Sequence, residues 1–134
     1  METTFLDNLY KGTTGYVYLW TPQKKLSYQF LTSQTAEMMD NAAALTAQHM
    51  DVYYSLGVTQ KALKTIRVRA KQEEIYQLGT FWADIDIADA SSHAKENLPP
   101  DIPAALSLIP ENLPPSIVVS SGHGIHVYWL LDQP

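Results

Sequence analysis

The chain has no cysteine, which excludes disulfide staples and thiolate metal sites. It also lacks any apolar run near the roughly 20 residues that span a bilayer, so a membrane-spanning helix is not expected. Its start, Met1-Glu2-Thr3-Thr4, carries neither the basic residues nor the apolar stretch of a secretory signal. These absences point to a cytoplasmic protein with no membrane partner. Basic residues are outnumbered, nine against 14 acidic, for a net charge of −5. That balance argues against a broad basic face for duplex DNA. Internal repeats and low-complexity tracts are absent as well.

What is present suits a globular domain. With 134 residues, 46% of them hydrophobic and 17% charged, the chain is long enough to bury a core and is expected to form a single domain over 1–134. Its charges are unevenly placed. Five of the nine basic residues (Lys61, Lys64, Arg67, Arg69 and Lys71) fall within eleven positions, whereas Asp84, Asp86, Asp89 and Asp101 lie downstream. An acidic site that takes up cations would be partly neutralised by them.

Pattern along the chain predicts mixed elements. Gly15–Trp20 is rich in strand formers and stops at Thr21-Pro22, and Leu26–Leu31 alternates and can pair with it across Pro22–Lys25. A helix is expected over Thr35–Met50, with Ala36, Met39, Ala43, Ala47 and Met50 as its apolar face and Thr32 or Ser33 as its cap. Val52–Leu56 predicts a short strand ending at Gly57, and 58–78 fits either a helix or a mobile loop. A strand follows over Gly79–Ile87, then a polar loop to Pro100. Asp101 can cap a short helix to Ile109 with Pro103 in its first turn. Ser116–Ser120 and Ile125–Leu131 are expected to form a hairpin turned at Gly122 and Gly124.

Two segments carry chemistry. In a strand, Phe81, Ala83, Ile85 and Ile87 face one way, into a core, while Trp82, Asp84 and Asp86 face the other. Like charges roughly 7 Å apart on one face repel, and a bound divalent cation relieves the conflict. The plainer alternative is two solvated acids on an open strand face, although Asp is a poor strand former. In the second segment, Gly122 and Gly124 permit a turn whose N–H groups can cradle an anion. Beyond it, Gly124, His126 and Tyr128 share a face, so His126 can donate to a phosphate oxygen. There the plainer alternative is a hairpin whose glycines only satisfy turn geometry. If the two strands lie side by side, Asp84, Asp86 and His126 meet on one face, as metal-assisted phosphoryl transfer requires.

Trp82-Ala83-Asp84-Ile85-Asp86, taken with Pro115–Gly124 and Ile125-His126-Val127-Tyr128-Trp129, resembles the archaeo-eukaryotic primase superfamily. The resemblance runs from about Val52 to the C-terminus and is greatest to the primase–polymerase domains of plasmid and phage replication proteins. It implies an α+β fold, an RRM-like antiparallel sheet backed by helices. It further implies a DNA primase/polymerase that transfers nucleotides from nucleoside triphosphates onto a primer on a DNA template, with Mg²⁺ or Mn²⁺ as cofactor. Carried over, Asp84 and Asp86 are the metal ligands, His126 contacts the triphosphate, and Ser121, Gly122 and Gly124 form the nucleotide-binding turn. A C-terminal helicase or accessory domain is an expected companion.

The match departs from the family at two places. His123 stands where these turns usually carry a small residue. The family's third motif, an apolar residue followed by a metal-binding Asp, is not visible, and Asp132 follows His126 too closely to supply it. That motif is expected beyond residue 134, the chain being the N-terminal part of the catalytic domain. Lys61, Lys64, Arg67, Arg69 and Lys71 can track a template's phosphates or simply form a solvated face. Trp82 and Tyr128, and less so Tyr53 and Tyr54, can stack bases or pack across strands. Asp89 and Asp101 suit loop and cap positions, and His49 and His93 receive no role. Two other readings stand beside the polymerase: a non-catalytic single-strand-binding module of a replication protein, and a metal-dependent phosphodiesterase lacking visible further ligands.

Overall fold

The computed structural model describes residues 4–88 and 98–134. Its contacts group into two compact units, one running to Gly79 and taking in Asp132–Pro134, the other Thr80–Leu131. Both are built of antiparallel strands with few helices, an α+β architecture. Among the described residues no helix is long and apolar enough to cross a membrane.

The first unit begins with a one-turn helix, α1 (Phe5–Leu9), that pattern reading does not foresee. Five residues are too few to show a period, but Thr4 and Asp7 form a reciprocal capping box. Strands β1 (Tyr16–Thr21) and β2 (Leu26–Leu31) pair as expected, from Tyr16 opposite Leu31 to Thr21 opposite Leu26. The expected strand Val52–Leu56 is instead two short pieces, β3 (Tyr53–Tyr54) and β4 (Gly57–Thr59), both against β1. The open stretch 58–78 resolves into part of β4, a loop, a 3-10 turn (Gln72–Glu74) and β5 (Ile75–Leu78). That loop is held to β2, where the Ser27 N–H donates to Ile66 O at 2.7 Å and the Ser27 hydroxyl to Val68 O at 2.7 Å.

Helix α2 (Thr35–Ala47) starts where expected, but with a different inward face and a different cap. Thr35, Met38 and Leu45 are buried, whereas Ala36, Met39, Ala43 and Ala47 are exposed. Two interleaved apolar stripes satisfy the 3.6-residue period, and the stripe with Met38 and Leu45 brings the larger side chains inward. The N-cap is Gln34, with no capping side chain. Thr32 is otherwise engaged, its hydroxyl donating to Thr13 O at 3.2 Å. Leu6, Leu9, Tyr10, Val17, Tyr18, Leu19, Met38, Leu45 and Val58 are the buried hydrophobic residues of this unit.

The second unit is a three-stranded sheet, β6 (Thr80–Asp86), β7 (Ile117–Ser120) and β8 (Gly124–Leu130), in the order β6-β8-β7. Helix α3 (Ile102–Ser107) is capped by the Asp101 carboxylate, which accepts the Ala104 N–H at 2.9 Å, and Pro103 sits in its first turn. Both placements are those the sequence predicts. Ala105 from this helix is buried with Ile125 and Val127, and Ile85, Ile87, Ile102, Ile109 and Trp129 pack around them. Phe81, expected in the same core, is 57% exposed instead. A six-residue helix is only ~9 Å long, too short to cover a strand face that extends ~20 Å from Phe81 to Ile87.

Candidate functional site

Register fixes which side chains meet. In the β6–β8 pair Trp82 lies opposite Tyr128, Asp84 opposite His126 and Asp86 opposite Gly124. In the β7–β8 pair Ile117 lies opposite Tyr128 and Val119 opposite His126. Directly opposed residues in an antiparallel pair project to the same face. Trp82, Asp84, Asp86, His126 and Tyr128 therefore share the face away from the Ile85–Ile125–Ala105 core, as strand alternation predicts.

The central contact is between Asp84 and His126. His126 Nε2 stands 3.5 Å from Asp84 Oδ1, with the side chains 39% and 62% exposed respectively. The distance is longer than a good hydrogen bond, and a pair this open to water contributes little to stability, ~0–1 kcal/mol. Both groups therefore remain available to an incoming ligand. Asp86, half-buried, lies opposite Gly124, a residue without a side chain.

The two glycines of the hairpin turn do different work. Gly124 is buried, and a Cβ there would lie 2.1 Å from Ile85 O and 2.8 Å from Asp86 Cα. It is a glycine because β6 and β8 approach closely at that point. Gly122 has φ +88°, in the left-handed region, and open space where a Cβ would go. The turn is closed by Ser121 N–H to Gly124 O at 3.0 Å, and Ile87 N–H to His123 O at 3.0 Å extends the β6 ladder. Ser121, Gly122 and His123 are exposed, so the tip of the turn is the part open to an anion, while Gly124 serves the sheet.

The aromatic candidates divide. Trp82 is 51% exposed beside the acids. Tyr128, expected as an open stacking surface, is only 3% exposed and does not present its ring to solvent. Tyr53 is 59% exposed, and Tyr54 packs edge-on against Phe5 with ring centroids 5.9 Å apart. Lys64, Arg67 and Arg69 are exposed on the loop between β4 and the 3-10 turn. The Arg69 guanidinium lies 5.2 Å from the centroid of the Trp20 ring. Trp20 received no role from sequence reasoning, although Tyr16, Tyr18 and Trp20 alternate along β1 in a way that puts three aromatics on one face.

Among the described residues no group of three or more His, Cys, Asp or Glu side chains is arranged to hold a metal. Asp84 and Asp86 still fit a hard divalent ion in part, because Mg²⁺ commonly takes one or two carboxylates and completes its shell with water and substrate phosphate. Asp132 is exposed and groups with the other unit, and Asp101 is used as a helix cap. His49 is exposed just after α2 with φ 61°. Asp89 and His93 lie outside the described residues. No family model, curated protein or solved structure matches this chain.

Proposed function

We propose that the chain is part of a primase–polymerase catalytic domain and carries out metal-dependent nucleotidyl transfer onto a primer on a DNA template. The observation that carries this reading is the open face on which Asp84 and Asp86 of β6 lie beside His126 of β8. On this reading the sheet β6-β8-β7, with α3 behind it, belongs to an RRM-like catalytic core.

Asp84 and Asp86 would hold Mg²⁺ or Mn²⁺, which would supply Lewis-acid activation of the primer's 3′-hydroxyl and charge neutralisation of the leaving pyrophosphate. His126 donates from Nε2 to a triphosphate oxygen, exchanging its weak contact with Asp84 for a charge-assisted one. The exposed tip of the turn offers the Gly122 backbone N–H to the same triphosphate. Trp82, exposed next to Asp84, gives the base or sugar an apolar surface. These groups orient the triphosphate for in-line attack.

The test is primer extension with Mg²⁺ or Mn²⁺, together with Mn²⁺ binding followed by paramagnetic resonance. Asp84→Ala and Asp86→Ala are each expected to abolish incorporation and weaken Mn²⁺ binding while leaving the unfolding midpoint nearly unchanged. Unaltered incorporation in either variant would sink the proposal. One observation favours a second reading, a non-catalytic single-strand-binding module: the described residues complete no three-donor metal group. That reading expects DNA binding indifferent to Mg²⁺, to Mn²⁺ and to His126→Ala.

A further inference from the structure

The first unit contains an aromatic cleft that the proposed chemistry leaves unused. Along β1, Val17 and Leu19 are buried in the core, and Tyr16, Tyr18 and Trp20 take the opposite face. Trp20 lies opposite Ser27 of β2 and Tyr53 of β3. The row Ser27–Trp20–Tyr53 forms part of the lining of a cleft of about 460 Å³, with Tyr54, Arg69 and Ile75 among its walls. That volume lies within the usual range for small-molecule sites.

Two hydroxyls in this cleft are engaged within the fold. The Ser27 hydroxyl donates to Val68 O, and the Ser55 hydroxyl accepts the Tyr18 N–H at 2.9 Å. What the cleft chiefly offers a ligand is π surface and one cation. The Arg69 guanidinium lies 5.2 Å from the Trp20 ring centroid, and no carboxylate pairs with it among the described residues. Stacking plus a cation, without a hydrogen-bonding code, suits a nucleobase and its phosphate bound with little sequence preference.

Arg69 also lines a second cleft, of about 650 Å³, together with Lys61, Lys64 and Lys71 and the acids Glu73 and Glu74. A free nucleotide needs only the first cleft. A continuing strand makes use of both, with base in the aromatic cleft and following phosphates along the basic one.

We propose that this pair of clefts holds single-stranded nucleic acid: an unstacked base against Trp20 and Tyr53, the adjoining phosphate on Arg69, and the next phosphates on Lys61 and Lys64. This rests on the nucleic-acid reading above and says where the template strand is gripped.

The experiment is fluorescence anisotropy of a labelled oligothymidylate with the full chain at several salt concentrations. Tyr53 is 59% exposed, so Tyr53→Ala should fold normally. It is expected to weaken binding roughly 5- to 150-fold, the usual range for losing one stacked base, whereas Tyr53→Phe retains binding. Arg69→Gln is expected to weaken binding and lower the salt slope by about one phosphate contact. Thymidine monophosphate should compete poorly, and Met39→Ala, an exposed change on α2, should bind the oligonucleotide as the parent does. The inference is overturned if the chain does not bind the oligonucleotide, if Tyr53→Ala and Arg69→Gln both bind like the parent, or if the mononucleotide binds equally well. Loss of Mn²⁺ dependence with oligonucleotide binding intact would sink the catalytic reading and leave this one standing.

Discussion

Replacing Gly124 by alanine tests whether strand approach, and not phosphate binding, is what requires a glycine there. The new Cβ would sit 2.1 Å from Ile85 O, 2.8 Å from Asp86 Cα and 2.9 Å from Ile85 C. All three neighbours are backbone atoms, so no side chain can swing aside to relieve the overlap. Either β8 separates from β6 at this rung or the overlap is absorbed as strain. Overpacking of this kind typically costs ~1–3 kcal/mol and occasionally more, and backbone neighbours place it toward the upper end, about 3 kcal/mol. Gly122→Ala is the matched control. It meets no atom within 4 Å and pays only for φ +88°, about 1–2 kcal/mol. Urea titrations of both variants, read by tryptophan fluorescence from Trp82 and Trp129 and by far-ultraviolet circular dichroism, supply the comparison. Gly124→Ala should be the more destabilised, with Asp86 displaced from its place beside Asp84. Equal losses, or a greater loss for Gly122→Ala, would refute the assignment of Gly124 to the β6–β8 approach.

Two further outcomes follow from the packing and the charges. Met38→Ala should destabilise by ~2–5 kcal/mol as a core truncation, and Met39→Ala by no more than ~0.5 kcal/mol as a surface change, since they are 0% and 46% exposed. The reverse order in thermal or urea unfolding would mean that α2 presents its other stripe inward. Asp7 has its pKa held below the ordinary aspartate value by the Thr35 hydroxyl first, then by the Thr4 N–H and hydroxyl. Its contribution is therefore present above the unfolded pKa of ~3.9 and lost as pH falls through the lower folded value. The group is largely solvated, so the effect is small. Asp7→Asn should flatten that part of the stability profile, and an unchanged acid limb would show that the hydrogen bonds of Asp7 to Thr35 and Thr4 do not contribute it.

The α+β character, the β1–β2 pairing, the Asp101-capped helix and the β7–β8 hairpin are all legible in the sequence. Each depends on neighbours close along the chain: alternation, a turn, a cap. The facing of Asp84 and Asp86 is legible for the same reason, since a period of two assigns faces without reference to the fold. The face of α2 is not, because both stripes satisfy its periodicity and only the sheet beneath selects between them. Nor is the exposure of Phe81 or the burial of Tyr128, which depends on what packs over each end of a strand.

The amino-acid sequence by itself singled out the candidate residues: two carboxylates two apart on a strand, and a histidine just past a glycine turn. Local stereochemistry was enough for that. Only the tertiary structure decided that Asp84 and His126 are partners across a rung, 3.5 Å apart. It also separated the work of Gly124 from that of Gly122 and set Trp20, Tyr53 and Arg69 around one cleft. Those relations join positions from 16 residues apart (Tyr53 and Arg69) to 49 apart (Trp20 and Arg69) in the chain. They depend on strand register and loop docking, which long-range packing selects and no local pattern encodes.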